Sequence, residues 1–217
     1  KALLKSAQVF EYINHAEDFG ISIKDASADF PSIIKRSRDV ADGMSKGISY
    51  LLKKNKVEVL NGFGKVKKSN KVSVTIDGKE TEYSAKHIII ATGARSRELP
   101  NLPQDGEKVI GYRDALALSK APKKMVVVGS GAIGVEFAYF YNAMGTEVTV
   151  VEFMPNIVPV EDKDISRQLQ KSFKKSGINV MTDSSVEKVD VKGSGCKVLV
   201  KTKKGEETIE CDVVLSA

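Results

Sequence analysis

The run Gly129-Ser130-Gly131-Ala132-Ile133-Gly134 has the residue types and spacing to hold a pyrophosphate. In a GxGxxG turn the first glycine allows a tight bend and the second lets a phosphate approach the backbone. The third lets a helix pack close to the strand before it. The amides of Ala132, Ile133, Gly134 and Val135 would then face the anion from the positive end of the helix. An acidic residue is expected roughly twenty positions on, at the end of the next strand. Glu152 stands there, directly after Val148-Thr149-Val150-Val151. The same glycines could serve packing alone, but strand, loop, helix and carboxylate together point to a dinucleotide site.

Glu152 also selects among dinucleotides. A carboxylate accepts hydrogen bonds from ribose hydroxyls and repels a 2′-phosphate. The following residues, Phe153-Met154-Pro155-Asn156, supply no Arg before Arg167. NAD is favoured over NADP. Glu136 lies two residues past the last glycine, in the first turn of the expected helix, where a negative charge suits the helix dipole.

These residues need a scaffold. Apolar spacing predicts a helix over Leu3–Ile13, and a second from Asp29 and Pro31 to Leu52. Period-two patterning predicts strands at Val57–Leu60, Val72–Ile76 and Thr81–Tyr83, with hairpin turns at Ser69-Asn70 and Asp77-Gly78. Ile88–Ala91 reads as a strand buried on both faces, broken at Thr92-Gly93. An irregular stretch follows, with a short helix around Asp114–Ser119. Buried strands at Met125–Val128, Glu147–Val151, Ile178–Met181 and Val213–Leu215 alternate with helices ending near Met144 and Lys175. Three alternating strands, Val186–Val191, Val198–Lys201 and Thr208–Cys211, precede the last of these. This is an α/β pattern: Rossmann-like dinucleotide-binding domains of the three-layer ββα type, a parallel sheet with an antiparallel meander attached.

Composition limits the function classes. The 217 residues are 41% hydrophobic and 29% charged, which suits a packed core, and no apolar run approaches a membrane span. Net charge is 34 − 28 = +6, mostly from Lys at expected hairpin tips and helix ends, without interleaved aromatics. A solvated surface explains that charge better than nucleic-acid binding, and neither nucleic acid nor a membrane is expected as a partner. Cys196 and Cys211 cannot staple a small secreted fold, and no signal peptide precedes them, which points to a reducing, cytoplasmic setting. The chain starts at Lys1 without an initiator Met and reads as an internal piece of something longer.

At this point the chain resembles the flavin-dependent pyridine nucleotide-disulfide oxidoreductases, most closely the dihydrolipoamide-oxidising branch. The matching stretches are Lys1-Ala2-Leu3-Leu4, Asn61-Gly62-Phe63-Gly64, Ile90-Ala91-Thr92-Gly93-Ala94, Gly129–Glu136, Val151-Glu152-Phe153-Met154 and Phe173–Ile178. The resemblance implies two domains: 1–94, a partial FAD-binding domain without its pyrophosphate loop and redox cysteines, and 95–217, an NAD-binding domain. It implies that Lys1 contacts the flavin and that Gly64, Thr92, Gly93 and Ala94 lie along the FAD. Gly129 to Glu136, with Glu152 and Val186, hold NAD. It also implies that Lys1 and Glu136 meet as a buried ion pair beside the flavin. Neither Cys196 nor Cys211 matches the family's Cys-x4-Cys pair, so this chain holds no catalytic residue and no metal ligand. The full-length protein is expected to be a homodimer that reoxidises dihydrolipoamide on lipoyl domains of 2-oxo acid dehydrogenase complexes. Electrons would pass through a disulfide and FAD to NAD. Another flavin disulfide reductase, an NADH oxidase and a non-enzymatic NAD-binding module remain the alternatives.

Overall fold

The computed structural model describes all 217 residues. In chain order the elements are α1 (Ala2–Asn14), a 3-10 turn (Ala16–Phe19), α2 (Phe30–Lys54), β1 (Phe63–Lys67), β2 (Lys71–Ile76) and β3 (Lys79–Ser84). They continue with β4 (Val109–Ile110), α3 (Tyr112–Ala115), β5 (Lys124–Val128), α4 (Ala132–Ala143) and β6 (Glu147–Val151). The last are α5 (Lys163–Lys175), β7 (Asn179–Met181), β8 (Ser185–Lys192), β9 (Gly195–Thr202), β10 (Gly205–Cys211) and β11 (Val213–Ser216). The chain divides into two compact units, one of Lys1–Asp39 with Ser96–Ala217 and the other of Val40–Arg95. One break, at 95/96, lies one residue from the boundary expected at 94/95, while Lys1–Asp39 groups with the later residues because the buried face of α1, Leu3 and Ala7, joins the core beneath α4.

The first unit has three layers. Its middle is a parallel sheet in the order β4-β11-β5-β6-β7. Residues along each strand alternate between two cores. Met125 and Val127 of β5, with Val213 and Leu215 of β11, face the helices, joining Phe137, Phe140 and Tyr141 of α4. Val126 and Val214 face the other way, onto Val198 and Val200 of the antiparallel meander β10-β9-β8. Strands buried on both sides explain the unbroken apolar runs in the sequence. At the start of α2, the Asp29 carboxylate accepts from Ser32 N and Oγ at 3.2 and 2.6 Å, the cap the sequence suggested.

The second unit contains the antiparallel sheet β1-β2-β3. Both foreseen turns are present, with positive φ at Ser69, Asn70, Asp77 and Gly78, the handedness that tight hairpins require. Two expected strands are not. Val57–Leu60 has no regular structure, and neither does Ile88–Ala91. Ile89 and Ile90 are 91% and 70% exposed rather than buried on both faces. An apolar run becomes a strand only where a neighbouring backbone pairs with it, and no strand of this chain does so. The short helix expected at Asp114–Ser119 begins earlier, at Tyr112, and β4 lies in a stretch expected to be irregular.

Candidate functional site

The glycine turn sits between β5 and α4. Gly129 has φ +99°, and a Cβ there would fall 2.5 Å from the Ala217 carbonyl oxygen. Its amide stays paired with Val151 O at 2.9 Å, so the loop leaves the sheet only after this residue. Gly134, in the first turn of α4, has no room for a side chain either. Gly131 is different. Its φ of −64° and ψ of 179° suit any residue, and a Cβ there would meet nothing within 4 Å. Neither backbone strain nor packing requires a glycine at this point, so the open space beside the helix N-terminus is what its missing side chain preserves.

That N-terminus is uncapped. No side chain bonds to it, and the first amide paired back into the turn is Val135 N, to Gly131 O at 3.0 Å. Ala132, Ile133 and Gly134 thus direct unpaired amides outward, with the partial positive charge of the helix behind them. A diphosphate fits this donor set. The Val135 side chain itself points into the helix-side core.

Glu152 closes the site at the end of β6 and is 7% exposed. Its Oε2 accepts from Ser130 N at 2.8 Å and Ser130 Oγ at 2.5 Å, and its Oε1 accepts from Met154 N at 2.8 Å. An ionised carboxylate has about four acceptor positions. Three are filled, and one remains for a ligand hydroxyl. Glu152 lines a cleft of about 240 Å³ together with Gly129, Phe153, Ser185 and Val186. Val186 is held there by Asn101, whose Nδ2 donates to the Val186 carbonyl at 2.6 Å. Asn101 carried no signal in the sequence, since it reaches the cleft across 85 residues of chain.

Lys1 and Glu136 do form an ion pair, across 135 residues. Two details differ from expectation. Glu136 is the fifth residue of α4, past the first turn, and the pair is exposed rather than buried, with the side chains 83% and 41% accessible. Gly64 and Thr92–Ala94 belong to the other unit. Gly64 lies opposite Val74 in the β1–β2 ladder, with open space where a Cβ would be. Thr92–Ala94 is irregular and exposed, turning at Gly93 with φ +76°.

Cys196 lies within β9 and stands directly opposite Cys211 of β10. Both are free thiols and buried. Burial raises the Cys196 thiol and pushes Cys211 up to about 12, the reverse of what a reactive thiolate needs. No helix is long and apolar enough to cross a membrane.

Comparison with known proteins agrees with this architecture. The chain is 44% identical to the dihydrolipoyl dehydrogenase of Chlorobaculum tepidum, covering 100% of the chain and 47% of that relative. It is 39% identical to the leghemoglobin reductase of Glycine max, covering 99% of the chain and 42% of the relative. The solved structure of LpdA from Mycobacterium tuberculosis superposes with a TM-score of 0.89 at 29% identity, over 100% of this chain and 47% of that one. The chain thus spans about half the length of the curated relatives it matches. The profile of the pyridine nucleotide-disulphide oxidoreductases matches residues 1–217 without a gap at either end, and the chain belongs to that family.

Proposed function

We propose that residues 95–217 bind NAD and that residues 1–94 are part of an FAD-binding domain. On this reading the full-length protein is a dihydrolipoamide dehydrogenase. The observation that carries it is Gly131, a glycine with no structural need beside unpaired helix amides, in the same loop whose Ser130 binds the Glu152 carboxylate.

The amides of Ala132, Ile133 and Gly134 bind the diphosphate, and the absent side chain at Gly131 lets it come close. Glu152 accepts one hydroxyl of the adenosine ribose through its remaining acceptor position, and Val186 borders the adenine end. Glu136 orients the Lys1 ammonium near the flavin. Gly64 and Thr92–Ala94 offer open backbone to the FAD. Hydride exchange between flavin and nicotinamide is the chemistry that the two cofactors supply when bound. Oxidation of a dihydrolipoyl dithiol to its disulfide releases two electrons and two protons, which leave as NADH and one proton. The substrate is then a lipoyl domain of a 2-oxo acid dehydrogenase complex, and the full-length protein is a cytoplasmic homodimer.

The test is reduction of NAD by dihydrolipoamide with the purified full-length protein, followed by NADH absorbance. Steady NADH formation is expected. NADH consumption by oxygen, with no turnover of dihydrolipoamide, would assign the protein to another branch of the family.

A further inference from the structure

Ser130 occupies a position in the glycine turn that the motif leaves free, yet it is completely buried and hydrogen-bonded on several sides. Its amide and its hydroxyl both donate to Glu152 Oε2, at 2.8 and 2.5 Å. Its carbonyl accepts from Val158 N at 3.0 Å, and its hydroxyl oxygen accepts from the same amide at 3.2 Å. The single hydroxyl proton is therefore committed to the carboxylate, because the other contact uses a lone pair.

The segment from Glu152 to Val158 is thus tied at both ends to one residue of the loop. The far end is strained. Val158 is β-branched, precedes Pro159 and has φ +41°, a region that such residues avoid. Strain of this kind persists only where surrounding bonds hold it.

We infer that Ser130 is a specificity-determining positioning residue, whose hydroxyl fixes the Glu152 carboxylate so that it accepts a ribose hydroxyl and excludes a 2′-phosphate. This rests on the reading of the cleft as an NAD site. The terminal torsion of a Glu side chain is broad, and to the two backbone donors, Ser130 N and Met154 N, the Ser130 hydroxyl adds a third. Two donors on Oε2 and one on Oε1 hold the plane of the group. The remaining acceptor position can then satisfy one hydroxyl donor, while a phosphate, which brings only further negative charge, finds no donor.

The test measures NADH and NADPH affinities by titration of the full-length protein. It uses the wild type, Ser130→Ala, Glu152→Gln and the double variant, with a melting temperature for each. The wild type is expected to prefer NADH. Ser130→Ala is expected to reduce the NADH-to-NADPH affinity ratio about tenfold, the order of a hydrogen bond to a charged group. In the Glu152→Gln background the same change is expected to leave the ratio where it is. If Ser130→Ala does not fold, the ratio is read on Ser130→Cys, which keeps the shape and weakens the donor. A wild type that prefers NADH, with both cofactors weakened equally by the substitution, overturns the role of Ser130 and leaves the NAD site standing. A wild type without preference overturns both.

Discussion

The carbonyl oxygen of Gly129 occupies the space that a side chain on Gly134 would need: a Cβ there would lie 2.1 Å from it. The end of β5 and the first turn of α4 touch through bare backbone. This closeness places the helix N-terminus over the sheet edge, where β6 delivers Glu152. Gly131, three residues earlier, has no such neighbour. The glycines of one motif therefore serve separable purposes, and substitutions can tell them apart.

Gly134→Ala forces the helix away from the strand. Overpacking of this kind costs about 1–3 kcal/mol. A lower melting temperature and loss of dinucleotide binding are expected together. Gly131→Ala meets no atom, and its effect on stability stays within about 1 kcal/mol, the range of helix-cap substitutions. Its NADH binding is nevertheless lost, because the methyl group occupies the approach to the amides. Calorimetric melting and NADH titration of both variants check this. Retained binding in Gly131→Ala would remove that residue from the site.

Glu152→Ala is expected to weaken NADH by about 1.5–3 kcal/mol and to narrow the gap to NADPH, since a hydrogen-bonded charge is lost and a repulsion removed. It also leaves Ser130 N and Met154 N without their acceptor, so a drop in melting temperature accompanies it. Calorimetric titration with both cofactors measures the effect. Equal affinities in the unmutated protein would contradict the assignment of the carboxylate.

Much of this site is legible in the sequence because its parts are local. The strand before Gly129, the loop and the helix lie within one short run, and Glu152 ends the next strand. Pairing is not local, and there the reading fails. Val57–Leu60 and Ile88–Ala91 have strand composition but no partner, while Val109-Ile110, too short to show a period, becomes a strand beside β11. The Cys196–Cys211 neighbourhood could have been found. Once Lys203-Lys204 is taken as a two-residue turn pairing Thr202 with Gly205, counting outward places Cys196 opposite Cys211. Nothing local shows that Asn101 holds Val186, or that Ser130 reaches Glu152.

The thiol pair makes stability fall in alkali. Cys211 is raised from an ordinary 9.0 to about 12 by burial, so between these values the folded chain keeps a proton that the unfolded chain releases. Stability then decreases as pH rises. Its contribution is complete below about pH 9 and lost by about pH 12. Urea midpoints across this window are expected to decline more steeply for the wild type than for Cys211→Ala. Equal slopes would mean that burial does not hold the proton. In the native protein both thiols are expected to resist alkylation at neutral pH, and both to react once the chain is unfolded.

Lys1 and Glu136 are joined across 135 residues in a pair that water reaches. An exposed pair adds little to stability, about 0–1 kcal/mol, because solvent screens it and holding two long side chains costs entropy. Glu136→Gln in the full-length protein is therefore expected to leave the melting temperature nearly unchanged. A role beside the flavin, which the family resemblance implies, predicts something else for the rates. A cation held there stabilises negative charge developing on the reduced flavin, and the carboxylate keeps it in position. Removing the carboxylate's charge should slow hydride transfer between flavin and nicotinamide more than it weakens NAD binding. Stopped-flow measurement of flavin reduction by NADH separates the two, since the limiting rate reports transfer and the concentration dependence reports binding. A lower limiting rate with a nearly constant dissociation constant is the expected result. If the dissociation constant alone changes, the pair contributes to binding and has no part in the transfer.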